Sequence, residues 1–425
     1  MLGRTVIRSE DGARIRLEEL LGSGGQGEVF RAHDGSGPVA VKIYFEHTVT
    51  PEQMASIEEL AKKKPPSQGF LWPMAMVHEG SRKKCGYVMP LRPANFRDID
   101  DHLARRTDTS MRALLTVGTK LAAAFLDLHS EGLCYRDISC KNVFFDPVNG
   151  DVRICDNDNI GPVGVDGGVA GTADFMAPEI FRQECRPSDK TDRYSLAVLL
   201  FMMLYVGHPL NGKREAKVRC LDGFAKKRLY GTDPLYVFHP TDDSNAPVQG
   251  KHDNLIAFQK IYPKVIKDKF LQSFVEGLVH PDRRVRESEW LDTFFSALDS
   301  IWMCSCGAES FYEPSDVFNP KSCWSCMASM TLPPRIKLNT TTLLLTPDTR
   351  LLGRHVGDRG SAAQVGKVVP SHTPRGRLGI QNVSTDTWNL IKPDGSVVDV
   401  TPMKTVLVAN GYKIQFGKAT GEMRA

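Results

Sequence analysis

The sequence predicts an α+β protein with two lobes, followed by a small cysteine-rich segment and a β-sandwich. Three observations lead to this fold class. Residues 1–90 alternate turns with β-branched strand patterns, residues 110–300 are mostly helical in pattern, and alternating strands and turns return after Pro334. A chain of 425 residues is too long for one core, so two or three domains are expected.

Composition and charge argue against a membrane or nucleic-acid partner. The hydrophobic content of 41% and the charged content of 24% are ordinary for a water-soluble protein, and a net charge of +4 is too small to indicate nucleic acid. The start of the chain has no apolar signal segment, and the longest apolar run, Leu196 to Val206, is too short to span a bilayer. We therefore expect a cytoplasmic protein with no membrane or nucleic-acid partner.

The first lobe, about residues 1–90, is predicted to be a strand-rich sheet with one helix. Thr50 can cap that helix, and Pro51 suits its first helical position. The second lobe, about residues 91–300, is predicted to be helical. Its expected helices are Met111–Ser130, Ser188–Val206, Ala257–Val279 and Glu287–Trp302.

A glycine-rich turn lies between two strand patterns of the first lobe. It comprises Gly22, Ser23, Gly24, Gly25, Gln26 and Gly27. Glycines let backbone N–H groups approach phosphates, but such a turn alone also fits a dinucleotide-binding fold or a plain hairpin. A dinucleotide fold requires a helix next, whereas here a strand follows and Lys42 lies 15 residues after Gly27. A phosphate-binding hairpin is therefore favoured.

Two later motifs carry oxygen ligands and a candidate base. The segment YRDISCKN contains Asp137 and Asn142, and Asp156 follows 14 residues after Asn142. Carboxylate and amide oxygens suit a hard cation such as Mg²⁺. Phosphoryl transfer from a nucleotide needs these components, which occur here in this order: a glycine turn, a lysine, a base and two metal ligands.

In this order the motifs resemble the protein kinase superfamily, over about the first 300 residues, which implies a bilobal protein-kinase-like fold. The resemblance implies ATP as donor, with Mg²⁺ or Mn²⁺, and a protein hydroxyl of Ser or Thr as acceptor. It implies that Asp137 is the base, that Lys42 holds the α- and β-phosphates, and that Asn142 and Asp156 bind the metal. The implied adenine pocket comprises Val29, Ala40, Met89, Leu91 and Phe144. The resemblance also implies two structural features: an ion pair between Glu179 and Arg284, and a buried Asp192 that braces the catalytic loop around Asp137.

Lys42 needs a carboxylate partner on the helix of the first lobe. Glu58 and Glu59 are both candidates. Glu58 shares its helical face with Met54 and Ile57, whereas Glu59 shares its face with other charged residues. We therefore predict that Glu58 pairs with Lys42 and that Glu59 is solvated.

The chain departs from the family pattern at three places. Tyr135 replaces a histidine, and Ser139 stands where serine/threonine kinases carry a lysine, a charge that Lys141 can supply. The third departure is Asp156-Asn157-Asp158, which lacks the usual phenylalanine. The retained motifs favour an active kinase, and the departures favour the alternative, a pseudokinase scaffold that acts through its C-terminal segments.

The segment between Asn157 and Gly171 contains no Ser, Thr or Tyr. Many kinases order this segment by phosphorylation, which provides a partner for the arginine before the catalytic aspartate, here Arg136. Because this chain offers no hydroxyl there, we expect a fixed acid such as Asp166, a bound substrate or a partner protein to order the segment.

Four cysteines cluster in the segment 301–332: Cys304, Cys306, Cys323 and Cys326. Two close pairs fit a tetrahedral Zn²⁺ site with a structural role, here called a zinc ribbon. A redox role for the second pair is the alternative, but a second pair nearby favours metal. So short a segment cannot bury a core alone, which leaves the metal to hold it together.

The tail, residues 333–425, resembles a forkhead-associated (FHA) β-sandwich, through Leu352-Gly353-Arg354 near its start and Tyr412 to Gly417 near its end. That resemblance implies phosphothreonine binding through Arg354. Of the Ser-Arg-x-His element of such domains, only a remnant is present, at Ser371-His372. The alternative is therefore a sandwich that docks proteins without binding phosphate. The order kinase, zinc ribbon and sandwich resembles the kinases of the tellurite-resistance-associated TerY-P triad, which implies a von Willebrand A-type (TerY-like) protein and a PP2C-type phosphatase as partners.

Overall fold

The computed structural model describes residues 5–46, 48–80, 84–165, 171–313, 322–339, 341–358, 361, 363–371 and 377–425. The chain divides into two compact units. The first comprises residues 1–260 and 267–294, and the second comprises residues 261–266 and 295–425. The predicted zinc ribbon and the predicted sandwich both fall within the second unit.

The small lobe of the first unit is a closed antiparallel barrel with one helix beside it. Its strands are β1 (Thr5–Arg8), β2 (Arg14–Ser23), β3 (Gly27–His33), β4 (Pro38–Tyr44), β5 (Ala75–His78) and β6 (Cys85–Pro90), in the order β1-β2-β3-β4-β6-β5. The helix α1 (Pro51–Ala61) begins as predicted, because Thr50 Oγ1 accepts a hydrogen bond from the amide of Gln53. The sequence pattern did not reveal β5.

The large lobe is mostly helical. Its α-helices are α2 (Ile99–Leu103), α3 (Met111–Ser130), α4 (Pro178–Phe181), α5 (Asp189–Tyr205), α6 (Lys213–Ala216), α7 (Gly223–Lys226), α8 (Asp253–Ile261), α9 (Lys264–Leu271), α10 (Gly277–Val279) and α11 (Glu287–Asp299). The predictions for α3 and α5 are confirmed. Ser110 and Ser188 cap these two helices, and apolar side chains dominate their buried positions.

Two helix predictions are wrong in extent. The expected helix Ala257–Val279 is divided between α8 and α9 at Pro263, because proline removes a backbone donor and disfavours a helical residue before it. The expected helix Glu287–Trp302 ends at Asp299, and Ile301 and Trp302 belong to a strand of the second unit instead.

Short strands in the large lobe position the loops of the candidate site. They are β7 (Arg97–Asp98), β8 (Leu133–Cys134), β9 (Val143–Phe145), β10 (Val152–Ile154) and β11 (Gly161–Pro162). The antiparallel pair β9 and β10 places Val143 opposite Ile154. Asn142 and Asp156, which flank these strands in the chain, are therefore brought to the same end of the hairpin.

The second unit contains a hairpin and two larger antiparallel sheets. Its strands are β12 (Ile301–Met303), β13 (Glu309–Phe311), β14 (Arg335–Lys337), β15 (Thr342–Leu344), β16 (Arg350–Leu352), β17 (Gln364–Pro370), β18 (Leu378–Asn382), β19 (Trp388–Ile391), β20 (Val397–Val400), β21 (Thr405–Leu407), β22 (Lys413–Phe416) and β23 (Ala419–Arg424). The sheet β15-β14-β23-β22-β19-β20 and the sheet β16-β17-β18-β21 contribute side chains to one shared core. This arrangement is a β-sandwich.

Among the described residues, we find no helix with the length and apolar character that crossing a membrane requires.

Candidate active site

The predicted glycine turn joins β2 to β3. Within it, the amide of Gly24 donates to the carbonyl of Gly27 at 2.9 Å, which closes the turn. A Cβ added at Gly27 would overlap the carbonyl oxygen of Ile43, so only glycine fits this position. A Cβ at Gly24 or Gly25 would meet nothing within 4 Å, so the turn leaves open space above its backbone.

Four of the five predicted adenine-pocket residues pack in one apolar cluster. Ala40 and Met89 lie opposite each other in the ladder between β4 and β6, and Val29 and Leu91 pack against the same cluster. Phe144 lies on β9, where the guanidinium of Arg92 stacks 4.0 Å from its ring centroid.

The predicted base, Asp137, lies in a hydrogen-bonded loop. Thr172 Oγ1 donates to Asp137 Oδ1 at 2.8 Å, and Asn142 Nδ2 lies 3.3 Å from Asp137 Oδ2. Burial raises the pKa of Asp137, against the hydrogen bonds from Thr172 and Asn142, which lower it. A raised pKa makes the carboxylate a better proton acceptor.

Asp192 of α5 anchors the loop of Asp137 through hydrogen bonds to its backbone, as predicted. Its carboxylate accepts hydrogen bonds from the amides of Tyr135, at 2.5 Å, and Arg136, at 3.0 Å. Tyr135, which replaces the family's histidine, is fully buried and packs edge-on against Phe125. Its hydroxyl donates to the carbonyl of Cys155, so the tyrosine joins the loop of Asp137 to the residue before Asp156.

The predicted partner of Lys42 needs correction. Lys42 Nζ lies 2.9 Å from Asp156 Oδ1 and 2.7 Å from Asp158 Oδ2. The side chain of Glu58 is 58% exposed and pairs with Lys62 at 3.4 Å, and Glu59 also pairs with Lys62. The predicted inward face is right for Ile57, but the buried residues of α1 are Ile57 and Leu60, and Glu58 lies at the exposed edge of that face.

The predicted Mg²⁺ ligands fit a hard cation by their chemistry. The Nδ2 atom of Asn142 donates to the carbonyl of Asp137 at 2.8 Å, so its amide oxygen is the atom left for a cation. The side chain of Asp156 is 42% exposed. The backbone of Asp156 itself lies in the left-handed region, with φ of 53°. Lys141 is exposed on a short 3₁₀ helix, and Ser139 is buried.

The predicted structural pair between Glu179 and Arg284 is present. Arg284 Nη1 and Nη2 donate to the two Glu179 carboxylate oxygens at 2.6 and 2.8 Å. Arg284 also donates to the carbonyls of Gly277 and Lys190, so its guanidinium is held on several sides.

His129 links three elements of the large lobe. Its ring nitrogens lie 3.1 Å from Asp192 Oδ2 and 2.8 Å from Glu287 Oε1. Burial lowers the pKa of His129, but the hydrogen bonds to Asp192 and Glu287 outweigh burial and raise it to about 9.

This network predicts a pH-dependent stability. Because the folded pKa of His129 exceeds the unfolded value, its stabilisation is complete below about pH 6.5 and is lost as the pH rises towards about 9. The free energy of unfolding should fall by at most about 3 kcal/mol over this window. Urea unfolding of wild type, His129→Gln and the exposed control His33→Gln tests this. Equal pH slopes in all three proteins would contradict it.

The four predicted zinc ligands converge in the second unit. Their sulfur atoms all lie within 4.8 Å of one another, and the Cys304–Cys326 and Cys306–Cys323 sulfurs are each 3.7 Å apart. A tetrahedron with Zn–S bonds of about 2.3 Å has edges of roughly 3.8 Å, so the geometry fits the predicted ion. The turns after Cys304 and Cys323 close through amides of Gly307 and Met327.

Arg354, the predicted phosphate contact of the tail, is already paired within the second unit. It donates to both carboxylate oxygens of Asp299 at 2.8 and 2.9 Å, and its guanidinium stacks on Phe295. His355 also contacts Asp299 at 3.0 Å. Among the motif residues, Ser371 is described, whereas His372 lies outside the described residues, as does Asp166 of the predicted ordering segment.

Sequence reasoning missed two residues of the site, Asp158 and Tyr44. Both contact or approach Lys42, and Tyr44 donates a hydrogen bond to Asp158 Oδ2. A signal was available: an acid stands two residues after Asp156, where the family pattern has a glycine, and Tyr44 lies two residues after Lys42 on the same face of β4.

The two lobes of the first unit, with a glycine-rich turn, a buried lysine and a carboxylate in the loop of Asp137, have the arrangement of the protein kinase fold. Residues 15–303 match the model of the protein kinase domain, and the chain belongs to that family.

Relatives of this chain include several kinases. Serine/threonine-protein kinase pkn3 of Myxococcus xanthus is 22% identical over 236 residues, which cover 52% of this chain and 42% of that protein. Serine/threonine-protein kinase CTR1 of Arabidopsis thaliana is 25% identical over 234 residues, 51% of this chain and 27% of that protein. Protein kinase C delta type of Mus musculus is 38% identical over 92 residues, 21% of this chain and 13% of that protein. The chain thus spans less than half the length of these relatives.

Proposed function

We propose that the protein is a bacterial serine/threonine kinase that transfers the γ-phosphoryl group of Mg-ATP to a protein substrate. The observation that carries this proposal is the loop of Asp137, in which Thr172 and Asn142 orient a carboxylate whose pKa is raised by burial. Family membership and the serine/threonine kinases among the relatives support it.

In this proposal each residue of the site has one task. Asp137 accepts the proton of the attacking hydroxyl, and the turn from Gly22 to Gly27 cradles the phosphates with backbone N–H groups. Lys42 neutralises phosphate oxygens. Asn142 and Asp156 would hold Mg²⁺, which supplies positive charge against the transferred group when bound.

The test is phosphoryl transfer from labelled ATP to a generic protein acceptor such as casein. Wild type is expected to transfer the label. Asp156→Ala is expected to lose both transfer and the Mg²⁺-dependent part of nucleotide binding, because it removes a proposed metal ligand. A wild-type protein that binds Mg-ATP but transfers nothing would instead support the pseudokinase scaffold.

Control by phosphorylation of the segment 157–171 is not expected. Arg136 donates to the carbonyl of Pro162, and Thr172, the nearest hydroxyl, is engaged with Asp137. Phosphatase treatment should therefore leave activity unchanged, as measured by initial rates before and after treatment. Mass spectrometry that finds Thr172 phosphorylated in the most active fraction, with activity lost on its removal, would contradict this expectation.

For the second unit we propose a structural zinc ribbon and an FHA-like sandwich that docks proteins without binding phosphothreonine. The pairing of Arg354 with Asp299 supports the second point, because a phosphate would have to displace a buried carboxylate. From the family resemblance, we propose as docking partners a von Willebrand A-type protein and a PP2C-type phosphatase. Titration with a phosphothreonine peptide and its unphosphorylated form tests the sandwich: equal, negligible binding is expected.

A further inference from the structure

The lysine of the site has two carboxylate partners, and neither belongs to α1. Lys42 is 5% exposed, with Asp156 Oδ1 at 2.9 Å and Asp158 Oδ2 at 2.7 Å. A buried ammonium is costly unless a counter-charge stays with it. The question is therefore which carboxylate remains with Lys42 during the reaction.

The two carboxylates differ in their surroundings. The side chain of Asp156 is 42% exposed, and the proposed function assigns it to the metal. The side chain of Asp158 is fully buried, and the proposed function gives it no metal or phosphate to bind. Asp158 is thus the carboxylate whose charge is left to balance that of Lys42.

Asp158 is also held in place from the small lobe. Tyr44 donates a hydrogen bond to the same Oδ2 atom that contacts Lys42. Lys42 and Tyr44 lie two residues apart on β4 and therefore point to the same side of the sheet. Tyr87 lies opposite Lys42 in the ladder between β4 and β6. It is fully buried and adds apolar surface beside Lys42.

The helix α1, all of whose residues the structure describes, offers no buried carboxylate to Lys42. Its buried residues are Ile57 and Leu60, and Ile57 packs in one cluster with Tyr44 and Tyr87. The helix also packs against the turn 157–159 that carries Asp158. Glu58 and Glu59 point outward and share Lys62.

We propose that Asp158, supported by Tyr44, is the positioning residue for Lys42, in the role that a glutamate of the small-lobe helix has in the family pattern. This inference rests on the proposed function. It has a mechanical consequence: the counter-charge of Lys42 comes from the turn after Asp156, and α1 contributes packing against that turn and no carboxylate of its own.

The test uses the full chain and two readouts. The first is labelling of Lys42 by an acyl phosphate of ATP, quantified by mass spectrometry, and the second is kcat and KM for ATP at saturating Mg²⁺. Asp158→Asn keeps the shape but removes the charge, so we expect labelling to fall about tenfold and kcat to fall about 100-fold. Tyr44→Phe should lower labelling about threefold and kcat about tenfold, which is half of the effect of Asp158→Asn on a logarithmic scale. The matched control Glu58→Gln should change neither beyond about twofold.

The outcomes separate the alternatives. Asp158→Asn that labels like wild type, or Glu58→Gln that loses as much as Asp158→Asn, would overturn the proposal. A raised Mg²⁺ requirement with normal labelling would also overturn it, because Asp158 would then be a metal ligand. If thermal unfolding shows that Asp158→Asn does not fold, Tyr44→Phe decides by the same readouts. If wild type labels at Lys42 but transfers no phosphoryl group, the proposed function fails while labelling still decides this inference.

Discussion

Replacement of Asp137 by alanine is expected to lower kcat by about 10²- to 10⁴-fold while nucleotide binding stays near the wild-type value. The physical reason is that the proposed function assigns to this carboxylate the proton of the attacking hydroxyl and assigns the phosphates to Lys42 and the glycine turn. Its hydrogen bonds to Thr172 and Asn142 hold it ready for that proton. Initial rates and titration with a fluorescent ATP analogue measure the two quantities separately.

The matched control is Asp151→Ala, which removes a partly exposed carboxylate that pairs with Lys120 and Arg153 in the same lobe. Exposed ion pairs contribute little to stability, so this variant should retain wild-type activity. Equal residual activity in wild type and Asp137→Ala would exclude a role for Asp137 in transfer. Loss of nucleotide binding in Asp137→Ala would mean that the substitution disturbs the whole loop, and it would contradict the expected separation.

The second large effect concerns the cysteine cluster. We expect about one zinc ion per chain, and we expect Cys323→Ser to abolish binding and to unfold the segment around the cluster. The reason is that, in the described part of the segment 301–332, the buried apolar residues besides the cysteines are only Ile301, Trp302, Phe311 and Tyr312, while Cys304 and Cys323 are buried ligands. Metal analysis of protein purified without added zinc, followed by limited proteolysis, measures both effects.

The control for this substitution is Cys185→Ser, which alters an exposed cysteine of the first unit outside the cluster. That variant should keep the metal and the wild-type proteolysis pattern. A metal-free wild type that has four titratable thiols in the cluster and resists proteolysis there would rule out the zinc ribbon. Transfer activity in the Cys323→Ser variant reports separately on whether the first unit depends on the metal.

Local spacing made several features predictable. The bounds of α3 follow from an apolar face at helical period and from the Ser110 cap, both of which depend on nearby residues alone. The glycine turn and the loop of Asp137 are likewise short segments in which turn geometry relates neighbours. The break of the expected helix Ala257–Val279 was also signalled locally, by Pro263, and the apolar periodicity across it concealed that signal.

Other features depend on contacts between distant segments. The sequence offered Glu58 and Glu59 as partners of Lys42 and did not point to Asp158. Packing of Ile57 against Tyr44 and Tyr87 turned α1 so that Glu58 faces outward. Likewise, Arg354 has the sequence context of a phosphate ligand, yet Asp299, 55 residues earlier, occupies its guanidinium.

By itself, then, the sequence determined the order of the motifs, the chemical type of each candidate ligand and the strand or loop that carries it, because these depend on residues within a few positions of one another. Only the tertiary structure decided which carboxylates lie beside Lys42 and whether Arg354 is free. The rotation of a helix and the pairing of a buried charge are set by the packing of segments far apart in the chain, where a buried ion takes the partner that the fold brings within reach.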